Sequence, residues 1–311
     1  MNANADKTLE LEAFINETNE LVSQQEVYLT ETLVINTEQL VSEISDLVSL
    51  PEIYMKIREL MDDPDSCLDD FAAVVNTDPA LVASVLKIVN SAFFGFAGQI
   101  DNITRALNLI GIGQLHDLVL SLSAVSSLDL PNEIEELSIF WQRSIYCGVL
   151  SRLLAKKLHL PDAESLFVIG LLHEIGRLIL FLKYPKESKL AVHQAQSENL
   201  SLTKVERLTF GTDYGQIGQA LMAEWHLPNK FECIIGNHLE PSNATEYVLE
   251  TSIVHIAHIA AANKFPGADR YQYDMDLEIL AQLTTNQEEM NDLFTEADQI
   301  AIEMERNILG N

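Results

Sequence analysis

The residues best suited to chemistry lie in the middle of an apolar stretch, Gly170-Leu171-Leu172-His173-Glu174-Ile175-Gly176-Arg177. His173 and Glu174 place an imidazole and a carboxylate side by side, the donor types that hold a divalent ion. An isolated histidine on an apolar helix is more often a hydrogen-bonded core residue, so this pair needs support from elsewhere in the chain. His255 and His258 stand three apart, close enough on a helix to touch one ligand, although packing alone also explains them. Other catalytic signatures are missing. Gly111-Ile112-Gly113 lacks the third glycine of a dinucleotide loop and follows no strand pattern, and there is no G-x-S-x-G or phosphate-binding loop. Cys67, Cys147 and Cys233 form no C-x-x-C pair and read as reduced core residues.

These residues must be positioned by helices. Glycine and proline are sparse and separate segments whose apolar residues recur every three or four positions, whereas alternating β-type runs are hard to find. Asp78-Pro79 supplies an N-cap and a first-turn proline, and Leu81, Val82, Val85, Leu86 and Val89 then repeat at helical spacing toward Gly95. The same reading places helices near residues 41–48, 51–61, 68–76, 103–109, 112–126, 134–158, 163–183, 214–225, 228–237 and 247–263. The fold class is therefore all-α, with the helices packed through short connections.

With 311 residues and 47% hydrophobic content the chain can bury a large core without staples. Its apolar runs are interrupted before the ~20 residues that a membrane helix needs, and Met1–Glu10 has no signal-peptide character, so a cytoplasmic location is expected. Forty-seven acidic residues against nineteen basic ones give a formal charge of −28, which disfavours nucleic acid as a partner. Both ends are acidic: residues 1–39 read as a helical extension with Leu9, Leu11, Phe14, Ile15, Leu21 and Val22 on one face. Residues 266–311 form a second extension, whose apolar set is Leu277, Leu280, Leu283, Met290, Leu293, Ile300 and Ile308.

Between these extensions the run Asp78-Pro79-Ala80-Leu81 is continued by Lys87-Ile88-Val89-Asn90-Ser91-Ala92 and followed by Ile103–Gly111. Downstream come Phe210–Gly218, Trp225-His226-Leu227-Pro228 and Asn237-His238-Leu239-Glu240-Pro241. In order and spacing these runs resemble the HDOD family of signal-transduction domains. The resemblance implies an all-α HDOD domain over residues 40–265 built as two packed helical lobes, one at about 40–130 and the second, an HD-like helical bundle, at about 131–265. It also implies bacterial signal transduction.

Catalytic relatives of this family hold a metal through a first His, a His-Asp pair, further His residues and a last Asp. The resemblance places Arg143 at the first position, in Trp141-Gln142-Arg143-Ser144, and His173-Glu174 at the pair. Tyr214, His238 and His258 fall on the remaining positions. A guanidinium stays protonated, and each unit charge pair at ~4 Å contributes ~4 kcal/mol at an effective dielectric of ~20, doubled against a dication. The expectation is a degenerate site with no catalytic residue and no metal or other cofactor. If a divalent metal ion does bind, His173, Glu174, His238 and His258 are its ligands. Arg143 and Glu174 should lie within salt-bridge range.

The leading function is a non-catalytic regulatory module that binds signalling proteins in trans, with no nucleic acid or membrane partner and with homo-oligomerisation left open. Net charge favours a partner with a basic or apolar surface. The alternatives are a metal-dependent phosphohydrolase acting on a phosphoester or nucleotide, and a binder of an anionic small molecule.

Overall fold

The computed structural model describes residues 33–44, 51–96, 98–127, 136–266 and 287–309, and well over half of the chain is helical with no strand among these residues. The N-terminal part contains α1 (Thr37–Ile44), α2 (Glu52–Asp62), α3 (Leu68–Val75), α4 (Pro79–Val89) and α5 (Ile103–Ser127). The rest contains α6 (Glu136–Lys157), α7 (Ala163–Leu172), α8 (Ile175–Lys183), α9 (Pro185–Glu198), α10 (Leu202–Phe210), α11 (Tyr214–Glu224), α12 (Asn229–Asn237), α13 (Val248–Lys264) and α14 (Gln287–Leu309).

Local chemistry sets many boundaries. The Asp78 carboxylate accepts from the N–H groups of Ala80 and Leu81 at 2.9 and 3.0 Å, so α4 starts where its cap and proline dictate. It stops at Val89, earlier than the apolar pattern suggests. Asn90 then turns its amide onto the Ile100 backbone, donating to its C=O and accepting from its N–H, both at 2.7 Å. Within α5, Gly111 adopts φ +84° and kinks the run, which is why the pattern reads as two helices.

The long apolar stretch from Ala163 to Lys183 is one helix by pattern but two in space. It breaks at His173-Glu174, His173 ending α7 and Glu174 starting α8. By length and composition the stretch could cross a bilayer, yet 83% of its most apolar window is buried inside the fold, as a core helix requires. Every residue of α7 except Glu164 is buried. Its closest neighbour is α6, and the two cross where Gly148 meets Gly170: a Cβ on Gly170 would sit 2.7 Å from the Gly148 Cα.

The pattern reading left residues 184–210 unassigned, and the structure forms α9 and α10 there. Their apolar faces are short, but Pro185 opens the first, left-handed Asn199 closes it, and the Ser201 hydroxyl caps the second. The cysteine expectation also needs correction. Only Cys147 is buried; Cys67 is exposed at the start of α3, where its N–H donates to the Asp70 carboxylate, and Cys233 is half-buried.

A single cluster of buried apolar side chains runs from Leu40 to Met304 through both halves of the molecule. The Arg152 guanidinium ties the halves together, donating to the Phe93 carbonyl at 2.8 Å, lying 3.8 Å over the Phe93 ring and pairing with Glu164. On α14 the buried set Met290, Leu293, Ala297, Ile300, Ala301 and Met304 forms one stripe against α6 and α4. At roughly 1.5 kcal/mol for each of the four larger side chains, that burial contributes on the order of 6 kcal/mol before entropic costs. Most of the expected N-terminal extension, the 128–135 junction and the Leu277–Leu283 part of the tail lie outside the described residues.

Candidate functional site

Six residues from five places in the chain meet in one buried cluster. Arg143 comes from α6, His173 and Glu174 from the α7–α8 break, Tyr214 from the first position of α11, His238 from the end of α12, and His258 from the middle of α13. Their exposures run from 0 to 3%, so the cluster is sealed from solvent. His173 and Glu174 are adjacent where α7 ends and α8 begins. Gly176 lets α8 approach α11 very closely, since a Cβ there would fall 2.0 Å from the Tyr214 carbonyl.

Hydrogen bonds assign the imidazole tautomers. His173 donates Nδ1–H to the Gly170 carbonyl and His238 donates Nδ1–H to the Ile235 carbonyl, each at 2.7 Å. His173 Nε2 is therefore an acceptor, and it receives His258 Nδ1–H at 3.0 Å. His258 Nε2 in turn faces the Tyr214 hydroxyl at 3.4 Å. Burial lowers the proton affinity of all three imidazoles below the ordinary histidine value, most strongly for His238 and His258, so they are neutral. Two buried acceptor atoms, His238 Nε2 and Glu174 Oε2, have no hydrogen-bond partner among the described residues.

The charges form a second group against the first. Glu174 Oε1 lies 3.9 Å from Arg143 Nη1 and 3.4 Å from Arg177 Nη1, with His258 Nδ1 at 3.8 Å. Arg143 Nε also donates to the Phe265 carbonyl at 2.8 Å, at the end of α13. Arg177 is the residue that the site reading missed, although its position three after Glu174 on a helix start was a usable signal. Beyond it lies Glu206, whose carboxylate oxygen receives the Tyr214 N–H at 3.1 Å; burial pushes this carboxyl up to about 8. His255 does not share the cluster ligand position of His258. Its Nδ1 bonds the His238 carbonyl at 2.7 Å.

In chemical terms the arrangement offers three neutral imidazoles whose ligand atoms all lie within 4.8 Å of one another, beside one carboxylate flanked by two guanidiniums. Helical architecture and these positions together define an HD-like domain. The HDOD domain model matches residues 47–241, and the chain belongs to the HDOD domain family. Among solved structures it is similar to a protein of Shewanella amazonensis SB2B proposed to be a phosphohydrolase, at 23% identity and TM-score 0.67, covering 86% of this chain and 97% of that one. It is also similar to an HDOD domain protein of unknown function from Geobacter sulfurreducens, at 20% identity and TM-score 0.65, covering 85% and 98%. A curated relative is an uncharacterized protein of Treponema pallidum (strain Nichols), 29% identical over 214 residues. The match takes in 68% of this chain but only 41% of that relative.

Proposed function

We propose that the chain is a non-catalytic regulatory module of the HDOD type, acting by protein–protein interaction, whose HD metal site is degenerate. The carrying observation is the buried Arg143 guanidinium. After burial, which is the largest cause, Arg143 is among the groups that lower the proton affinity of both His173 and His258. A charge that disfavours a proton at those nitrogens disfavours a dication more, and Arg177 adds to it at His173. The carboxylate that would balance a metal already faces two guanidiniums. The residues present therefore do not suit a hydrolytic dication, and no water-activating step follows from them.

One observation favours the second reading, a metal-dependent phosphohydrolase: three neutral imidazole nitrogens within 4.8 Å, one of them without a partner. Metal analysis of protein purified without chelator, followed by a phosphatase screen with added manganese, separates the two. The proposal expects substoichiometric metal and no turnover. Stoichiometric metal, with turnover abolished by His173→Ala, would overturn it. A triple variant, Arg143→His with Glu174→Asp and Tyr214→His, should gain manganese affinity relative to the parent if Arg143 is the obstacle.

A further inference from the structure

The charge of this protein is not uniform, and the exception lies on α9 and α10. Residues 183–207 hold five of the nineteen basic residues against three acidic ones. One of the three, Glu206, is buried and carries a carboxyl that is mostly protonated at neutral pH. The inner faces of the two helices, Ala191, Val192 and Ala195 on α9 and Leu202, Val205 and Phe210 on α10, pack into the core and against each other. The opposite side of each helix is consequently exposed. On these sides lie Lys186, Lys189 and Leu190 from α9, and Lys204 and Leu208 from α10, all exposed. Leu190 and Leu208 are 43% and 59% exposed, and none of the three lysines has an ion-pair partner among the described residues.

We infer that this outer face of α9 and α10 is a docking surface for an acidic, amphipathic segment of a partner protein. The inference rests on the reading of the chain as a protein-binding module, and it reverses the partner chemistry that net charge alone suggests. Lysines with no ion-pair partner among the described residues, together with two exposed leucines on the same helices, are complementary to carboxylates around an apolar stripe, the helix-against-surface mode of peptide recognition. Footprint size selects the partner class. A bilayer or a nucleic-acid duplex extends far beyond the patch and meets the field of a protein whose formal charge is −28, whereas a short segment stays within a Debye length, about 8 Å, of the lysines. The surface also lies one helix away from the buried cluster. Glu206, on the inner side of α10, receives the Tyr214 N–H, and Arg207 beside it pairs with Asp213 and Glu240, so displacement of α10 reaches the start of α11.

The test uses the full chain and a labelled synthetic helical peptide of about twenty residues. Leucines stand at i, i+3, i+4 and i+7, with glutamates elsewhere; a second peptide has lysines in place of the glutamates. Fluorescence anisotropy should show that the acidic peptide binds at least ten-fold more tightly than the basic one, and more weakly as salt rises. Lys186→Glu with Lys189→Glu and Lys204→Glu should cost ten-fold or more, and Leu190→Ser with Leu208→Ser should cost a comparable factor, with circular dichroism unchanged. Lys56→Glu with Lys87→Glu, on the other half of the molecule, should leave binding unaltered.

Equal binding of the two peptides, or indifference to the α9–α10 substitutions, would overturn the proposal. So would tighter binding of anionic vesicles or duplex DNA that those same substitutions abolish. Amine-reactive labelling of the free protein covers the remaining occupant: fast modification of Lys186, Lys189 and Lys204 is expected, and protection that high salt relieves would assign the surface to an acidic segment of this chain instead. Failure here leaves the metal and turnover measurements untouched, so loss of the docking site and loss of the binding-module reading are separate results.

Discussion

The turn after α4 and the cluster around His173 both carry side chains that the sequence marks as special, yet they use them in opposite ways. After α4 the marked groups bond to backbone. Asp78 caps α4, Asn90 closes on both polar groups of Ile100, and the Ser91 hydroxyl donates to the Ile88 carbonyl. Around His173 the marked groups divide their bonds between backbone carbonyls and one another, and two acceptors have no partner among the described residues. The first arrangement is architectural, because each bond fixes the path of the chain. The second is so only in part, and its remaining polar atoms are buried at a cost that apolar side chains would avoid.

The largest expected effect breaks the charge balance of the cluster. Arg143→Ala should destabilise the fold by about 3–5 kcal/mol, because it removes one of the two cations facing a buried carboxylate. Arg143→Met combined with Glu174→Leu should cost less than the single change, read as urea midpoints at pH 7.5. A double variant less stable than Arg143→Ala would show that the pair is architectural after all.

The next effect is a pH dependence. Burial holds the proton affinity of His173, His238 and His258 below the ordinary histidine value of about 6.5, so below that pH the unfolded chain binds protons that the folded chain refuses. Stability should therefore fall as pH drops through 6.5, by up to about 1 kcal/mol for each of His238 and His258 between pH 6.5 and 5.5, with a smaller share from His173 and an opposing contribution from the raised carboxyl of Glu206. His238→Gln should remove about 1 kcal/mol of the histidine contribution. A slope that the substitution leaves unchanged would mean that the imidazoles are not held neutral by the fold.

The smallest effect sharpens the other side of the comparison. Asn90→Ala deprives the Ile100 N–H and C=O of their side-chain partner and should cost about 2 kcal/mol, with no change in the acid slope. Thermal unfolding at pH 7.5 and 5.5 reads both quantities. An altered acid slope in this variant would connect the turn to the imidazoles and dissolve the distinction.

Much of this was legible in the chain itself. Helical periodicity gave the all-α class, Asp78-Pro79 placed the start of α4, and Gly111 divided α5, because caps, prolines and glycines act over a few residues. The family signature placed Arg143, His173, Glu174, Tyr214, His238 and His258 at corresponding positions, and these residues do come together. Periodicity could not show α9 and α10, whose apolar faces are too short to stand out, nor the break at His173-Glu174 inside a continuous apolar run.

Sequence alone determined which groups had to be reconciled: a permanent cation, a carboxylate and several imidazoles carried by apolar helices. Tertiary structure decided how. Only packing brought Arg177 to Glu174 alongside Arg143, and left His238 Nε2 without a donor among the described residues. Only packing, too, left the lysines of α9 and α10 exposed on a strongly acidic protein. Propensity and capping act within a turn or two of helix, whereas electrostatics and desolvation depend on distances between residues remote in sequence, which the folded chain alone fixes.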